Sequence, residues 1–231
     1  MASLLRTSAA GALGCLSVLA MLHASCSSDP SSSAEPTDSG AADAREDRAQ
    51  GDSTIDAFVP DSAPTKKRVF VTSKSYSGAL NGPTGADAIC GGAAGYAGLA
   101  GSWKAWISDT TVDAIDRIAD VGPWYLVDRT TLVFSNKAAI VALPLHAIDV
   151  DETGARVAAD AGISASLVWT GTDETGHRST RTISANLCLG WSNGSFSQSG
   201  EVGTLSKTDR DWTGGYLEEC RTTHRLYCFE Q

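Results

Sequence analysis

The chain has 231 residues with a formal charge of −9, 42% hydrophobic and 7% aromatic residues, and six cysteines. That length suits one sizeable domain with extra segments. The charge is spread: residues 27–67 carry nine acids against four bases, and residues 68–231 carry 18 acids against 13 bases. No basic stripe remains for a phosphate backbone, so nucleic acid is excluded as an expected partner.

Residues 1–26 read as an export signal. Arg6 precedes an apolar run from Ala9 to Leu22, followed by small residues and Cys26. The run is shorter than the roughly 20 apolar residues needed to span a bilayer. Cys26 is the expected lipidation site, although His23 stands where lipoprotein signals place Leu; cleavage near Ala24 is the alternative. Cys15 lies inside the signal and is discarded with it. Residues 27–67, rich in Ser, Ala, Asp and Pro, bury too little to offset their ordering entropy and read as a disordered acidic tether. Some 41 flexible residues reach about 35 Å.

The domain is expected over residues 68–231. Residues 68–73 alternate as a strand. After a Gly/Asn/Pro turn, Thr84 is the expected N-cap of a short helix with Asp87 three residues on, and Ala86, Ile89, Ala93 and Ala97 form its apolar face. Cys90 lies on that helix. Residues 103–108 alternate as a strand, and Ser108 or Asp109 then caps a second helix bearing Val112, Ile115 and Ile118. Gly122-Pro123 ends it. Short strands are expected at 124–127, 131–134, 147–150 and 156–158. The sequence Asp-Glu-Thr-Gly occurs at 151–154 and again at 173–176, where Gly would supply the positive φ of a hairpin turn. Residues 167–170 and 226–229 are the remaining strands. The pattern predicts an α+β domain with two short helices, a mostly antiparallel sheet and long loops.

Residues 168–230 hold Cys188, Cys220 and Cys228 together with Trp169, Trp191 and Trp212. So few contiguous apolar residues require crosslinks and aromatic anchors. Outside the cytoplasm, Cys90, Cys188, Cys220 and Cys228 point to two disulfides rather than a metal site, with three pairings open.

Several motifs in this region carry a resemblance. VWTGTDETGHR, Cys188 with Trp191 three residues on, and the closing Cys220 and Cys228-Phe229-Glu230 resemble the C-terminal half of the endostatin domain of collagens; GLAGSWKAWISD resembles a strand of it. FVTSKSYSGALNGPTGADAIC is similar to an uncharacterised family of bacterial surface lipoproteins with a domain of unknown function. Both resemblances imply a C-type-lectin-like (endostatin-like) fold and the nested pairing Cys90 with Cys228, Cys188 with Cys220. They imply no activity. The acidic charge disfavours the heparin-like partners that endostatin would suggest.

Gly190-Trp191-Ser192-Asn193-Gly194 is a literal GxSxG, with Asp209 or Asp211 and His224 following in hydrolase order. The strand before it and the helix after it that such an elbow needs are not legible, so Ser192 reads as a loop serine and no catalytic residue is expected. Asp149, Asp151 and Glu152, then Asp173 and Glu174, then Asp209 and Asp211 form acidic groups that calcium could use. They lack the sugar-binding loop motif and read as turn carboxylates. His146, His177 and His224 have no zinc spacing, and no cofactor is expected. Trp103, Trp106 and Trp169 read as core. Trp191, Asn193, Trp212 and Tyr216 are the candidate ligand contacts, with packing as their alternative role.

The sequence therefore predicts an exported protein, lipid-anchored at the outer membrane or cell surface or else secreted, whose loops between Gly171 and Gly215 present groups to a protein or glycan. The membrane is contacted through the lipid alone. The alternatives are a structural envelope lipoprotein, a calcium-dependent lectin and, last, a serine hydrolase. Mass spectrometry of the mature chain is expected to find a diacylated N-terminal Cys26; an unmodified start at Ala24 or Ser25 would contradict the anchor.

Overall fold

The computed structural model describes residues 65–157, 162–181 and 187–231. The signal, Cys26 and nearly all of the tether lie outside them. The described residues form a mixed α+β assembly of two sheets, three right-handed α-helices, two short 3-10 helices and two disulfides.

Strand β1 (Lys67–Val71) and the last strand, β8 (Tyr227–Glu230), pair antiparallel with Phe70 opposite Cys228. On the other side of β8 lies β2 (Trp103–Ala105), also antiparallel. β1 continues the sheet through a parallel pairing with β3 (Trp124–Tyr125), which pairs with β4 (Leu132–Phe134). The order is thus β2-β8-β1-β3-β4. A second, antiparallel sheet contains β5 (Leu167–Trp169), β6 (Ser199–Thr204) and β7 (Tyr216–Glu219). Trp169 N–H donates to Arg225 O and Arg225 N–H to Leu167 O, which ties β5 to the approach to β8.

β8 is buried on both faces because side chains alternate along a strand. Tyr227 and Phe229 enter one core with Trp106, Trp124, Phe134 and Trp212. Cys228 enters the other with Phe70, Trp103, Trp169 and Trp191. Helix α1 (Gly82–Tyr96) covers the second core with Ala86, Cys90 and Ala94, an i, i+4, i+8 stripe. Cys90 bonds to Cys228 across 138 residues, and Cys188 to Cys220 across 32. This is the nested pairing that the resemblance implies. The chain ends are further joined by the buried ion pair of Arg68 and Glu230 at 2.6 Å and by Trp124, whose indole donates to Glu230 O.

Helix α1 begins two residues before the expected cap. Asn81 precedes it and Pro83 occupies its first turn, where a missing N–H costs nothing. Thr84 is inside the helix and does not cap it. Asp87, placed in a capping box by sequence, instead accepts from Arg117 at 2.6 Å, Lys104 at 3.3 Å and Ala105 N–H at 2.9 Å, joining α1 to its neighbours. The helix ends at Gly98 (φ 69°), with Leu99 N–H donating to Ala94 O and Gly98 N–H to Gly95 O, a Schellman arrangement.

The second helix, α2 (Ala114–Arg117), is a single turn. Asp109 spends its carboxylate on the Thr111 and Val112 N–H groups, closing a local turn, while Ser108 Oγ accepts from Ala114 N–H. A third one-turn helix, α3 (Lys137–Ile140), is capped by Asn136. Both Asp-Glu-Thr-Gly copies form the expected turn: Asp151 and Asp173 accept from the Thr two residues on, and Gly154 and Gly176 have φ of 87° and 83°. Their flanks form single bridges, Val150 with Arg156 and Thr172 with Arg178, so the strand expected at 147–150 is not formed. The strand expected at 156–158 runs partly outside the described residues.

The larger departure is at 199–204 and 216–219, read as loop and found as β6 and β7. Propensity misses β6 because two of its residues are glycine for packing reasons. A Cβ on Gly200 would approach the Trp191 ring to 3.0 Å, and one on Gly203 would lie 2.0 Å from Trp212 O. The strand forms where glycine lets a tryptophan segment press against it.

In the chain-entropy picture, loops of this size make the Cys90–Cys228 bond worth about 5 kcal/mol and Cys188–Cys220 about 4 kcal/mol. The Cys90→Ala, Cys228→Ala double variant is therefore expected to lose several kcal/mol in denaturant unfolding. A midpoint unchanged from the parent would contradict this.

Candidate functional site

The four sequence-derived contact residues do not share a surface. Trp191 is wholly buried. Residues 187–191 run through positive φ angles of 45° to 64°, a left-handed turn costly for side-chain-bearing residues. The Cys188–Cys220 bond pins it. The turn drives the indole inward, where its N–H donates to Ser108 O at 2.7 Å and its ring meets Trp169 edge-on. Trp212 is also buried: it stacks on Trp106 with centroids 5.3 Å apart and abuts Phe134 and Tyr227. Its indole N–H meets no acceptor among the described residues. Both tryptophans are core residues, which corrects their assignment as contacts: a ring filling a close-packed interior has no face left for a ligand.

Asn193 is half-buried and spends its side-chain oxygen on Ser195 N–H at 2.7 Å. Tyr216 is 56% exposed and borders a hollow of about 310 Å³ with Lys207 and Glu218. The loops around it are tied down rather than displayed. Buried Glu201 accepts from the Ser179 hydroxyl at 2.9 Å and pairs with Arg181 at 3.4 Å, and Arg181 donates to Gly215 O. Burial pushes the Glu201 carboxyl up, against the pull of Ser179 and Arg181.

The hydrolase set is engaged elsewhere. Ser192 donates to Leu189 O at 2.7 Å, and Asp209 accepts from Asp211 N–H. Buried His224 packs edge-on to Trp169, with Nε2 at 2.9 Å from the Thr222 hydroxyl and 3.8 Å from Glu218. Of the other histidines, His146 contacts Leu132 O and His177 the Thr175 hydroxyl. Among the described residues, no three His, Cys, Asp or Glu side chains are placed to hold a metal ion.

Two adjoining hollows, of about 640 and 570 Å³, share Tyr96 and Glu152. These volumes are in the range of ligand sites. One wall is α1, contributing Ile89, Gly92, Ala93 and Tyr96; the others are residues 73–76, 126–128 and 150–156. Tyr96, on the last turn of α1, is 87% exposed. Glu152 comes from the first Asp-Glu-Thr-Gly turn and is buried, accepting from Ser73 N–H at 2.8 Å and from the Ser73 hydroxyl. Burial, then the charge of Glu152, pushes the Tyr76 hydroxyl up, so it remains a neutral donor at neutral pH. Burial also raises the Asp128 carboxyl, but N–H and hydroxyl donors of Thr131 and Thr130 prevail and hold it at about 2, ionised at any physiological pH. Arg156 pairs with Asp149, and Lys74 is exposed.

The sequence signal for this groove was present but weak: an aromatic closing a Gly/Ala-rich helix (GGAAGY), and one of two identical turns. Nothing local distinguishes Glu152 from Glu174, its counterpart in the second turn. Only the fold brings Ser73 and α1 beside the first.

No protein-family model matches the chain, and no curated protein matches it.

The core assignment of Trp191 has a direct consequence. Trp191→Ala removes a fully buried ring and is expected to cost about 3–5 kcal/mol in unfolding free energy. A variant as stable as the parent would return Trp191 to the surface.

Proposed function

We propose that residues 68–231 form a C-type-lectin-like, non-catalytic binding module of an exported protein held at the membrane by lipid on Cys26. Its ligand, a protein or glycan at the cell surface, occupies the groove centred on Tyr96 and Glu152. The two disulfides fit an oxidising compartment. Their nested pairing and the meeting of first and last strands support the lectin-like reading, together with the motifs that resemble endostatin.

The observation that carries the choice of site is Tyr96: a large aromatic left 87% exposed between two hollows. Exposed aromatics flanked by polar groups are the residues on which binding energy concentrates. The wall that carries it is rigid, because Cys90 on the same helix is crosslinked to β8. A pre-formed wall spares the ligand the entropy of ordering it.

The test uses the full chain with Cys26→Ala, so that lipid does not mask specific contact. Co-sedimentation with isolated cell-envelope fractions is expected to fall about tenfold on Tyr96→Ala, the loss typical of an aromatic anchor, with the melting temperature unchanged. Equal sedimentation of the two proteins would reject the groove as the site.

A further inference from the structure

We infer that the Tyr96–Glu152 groove binds a neutral oligosaccharide chain, and does so without calcium. This inference rests on the groove being the ligand site and adds the chemical class of what fills it.

The helical wall offers small apolar surface beside an exposed ring. Gly92 presents no side chain, Ala93 only a methyl, and Tyr96 on the same wall is 87% exposed. A sugar ring has apolar C–H faces that lie on such a surface, and hydroxyl edges that both donate and accept. The rim matches those edges. Lys74, the Tyr76 hydroxyl and Arg156 donate, whereas Asp128 and Glu152 accept. Arg156 is already paired with Asp149, so the rim, two bases against three acids when Asp149 is counted, has no excess positive charge to draw a polyanion. Two hollows meeting at one aromatic suit a ligand that extends across several repeating units.

The same surface is poorly made for a peptide. Recognition of an extended peptide uses a free strand edge, but the backbone of the 150–156 turn is already paired with itself: Asp151 N–H donates to Ala155 O, Gly154 N–H to Asp151 O, and Val150 bridges Arg156. Val71 N–H takes Val150 O as well. The opposite wall is helix, whose amides are internally satisfied. A cation is equally ill served. Glu152 and Asp128 take local donors from Ser73 and from Thr130 and Thr131, each with acceptor capacity left for a hydroxyl. Among the described residues, however, no three His, Cys, Asp or Glu side chains come together to hold a metal ion.

Isothermal titration of the full chain carrying Cys26→Ala with maltohexaose, cellohexaose and chitohexaose, with and without EDTA, tests this. At least one hexasaccharide is expected to bind saturably and to be unaffected by EDTA. Tyr96→Ala should weaken it about tenfold or more, and Tyr96→Phe, which keeps the ring, should stay within about threefold of the parent. Both variants replace an exposed side chain, and an unchanged melting temperature verifies their folding. Binding that survives Tyr96→Ala, or that EDTA abolishes, overturns the proposal. If no hexasaccharide binds while envelope sedimentation still depends on Tyr96, the glycan class is overturned and the groove stands as a site for another partner.

Discussion

The structure depends on one closure: β1, at the start of the described chain, pairs antiparallel with β8 at its end. β8 is the strand from which both cores grow, since Tyr227 and Phe229 point one way and Cys228 the other. Bringing such distant segments together carries a loop-closure cost that grows only slowly with length, so a long chain can meet it with one well-packed strand. The Cys90–Cys228 bond then limits how far the opened chain can spread. Arg68 and Glu230 add a buried ion pair at the same junction, whose desolvation cost offsets much of its attraction.

The proposed binding surface inherits this closure. Helix α1 lies over β8 and β2 with Ala86, Cys90 and Ala94 inward, which leaves Gly92, Ala93 and Tyr96 to line the groove. The opposing wall is fixed by a different set of bonds: Glu152 reaches back to Ser73, just beyond β1, and Asp151 bridges Val71. Each wall is thereby anchored to one of the two strands that close the domain. The second disulfide serves another purpose. It holds a left-handed turn at 187–191 that sends Trp191 beneath Gly200 of β6, and so builds core rather than display.

Much of the architecture was legible in the sequence because its signals are local. The alternation at 68–73 and the apolar run at 226–229 marked the end strands, and the Asp-Glu-Thr-Gly repeats marked two turns whose Gly φ angles are positive as expected. The spacing of small apolar residues marked α1 but not its buried face, which is Ala86, Cys90 and Ala94 rather than Ala86, Ile89, Ala93 and Ala97. The failures share a cause, which is that distant partners reassign residues. Asp87 left its capping role for Arg117 and Ala105. Glycines at 200 and 203 looked like loop and are packing sites for Trp191 and Trp212. A tryptophan in a Gly-rich stretch has the same local signature whether it faces solvent or core, so the proposed site moves from Trp191 and Trp212, which are buried, to exposed Tyr96. That residue's exposure is set by the helix face on which it falls.

The central claim is that the two ends of the domain are sewn together, and a disulfide map of the intact, non-reduced protein tests it most directly. Proteolysis without reduction should release one crosslinked peptide pair containing Cys90 and Cys228 and another containing Cys188 and Cys220. Free thiols at Cys90 and Cys228, or a Cys90–Cys188 pair, would contradict the closure and the groove built on it.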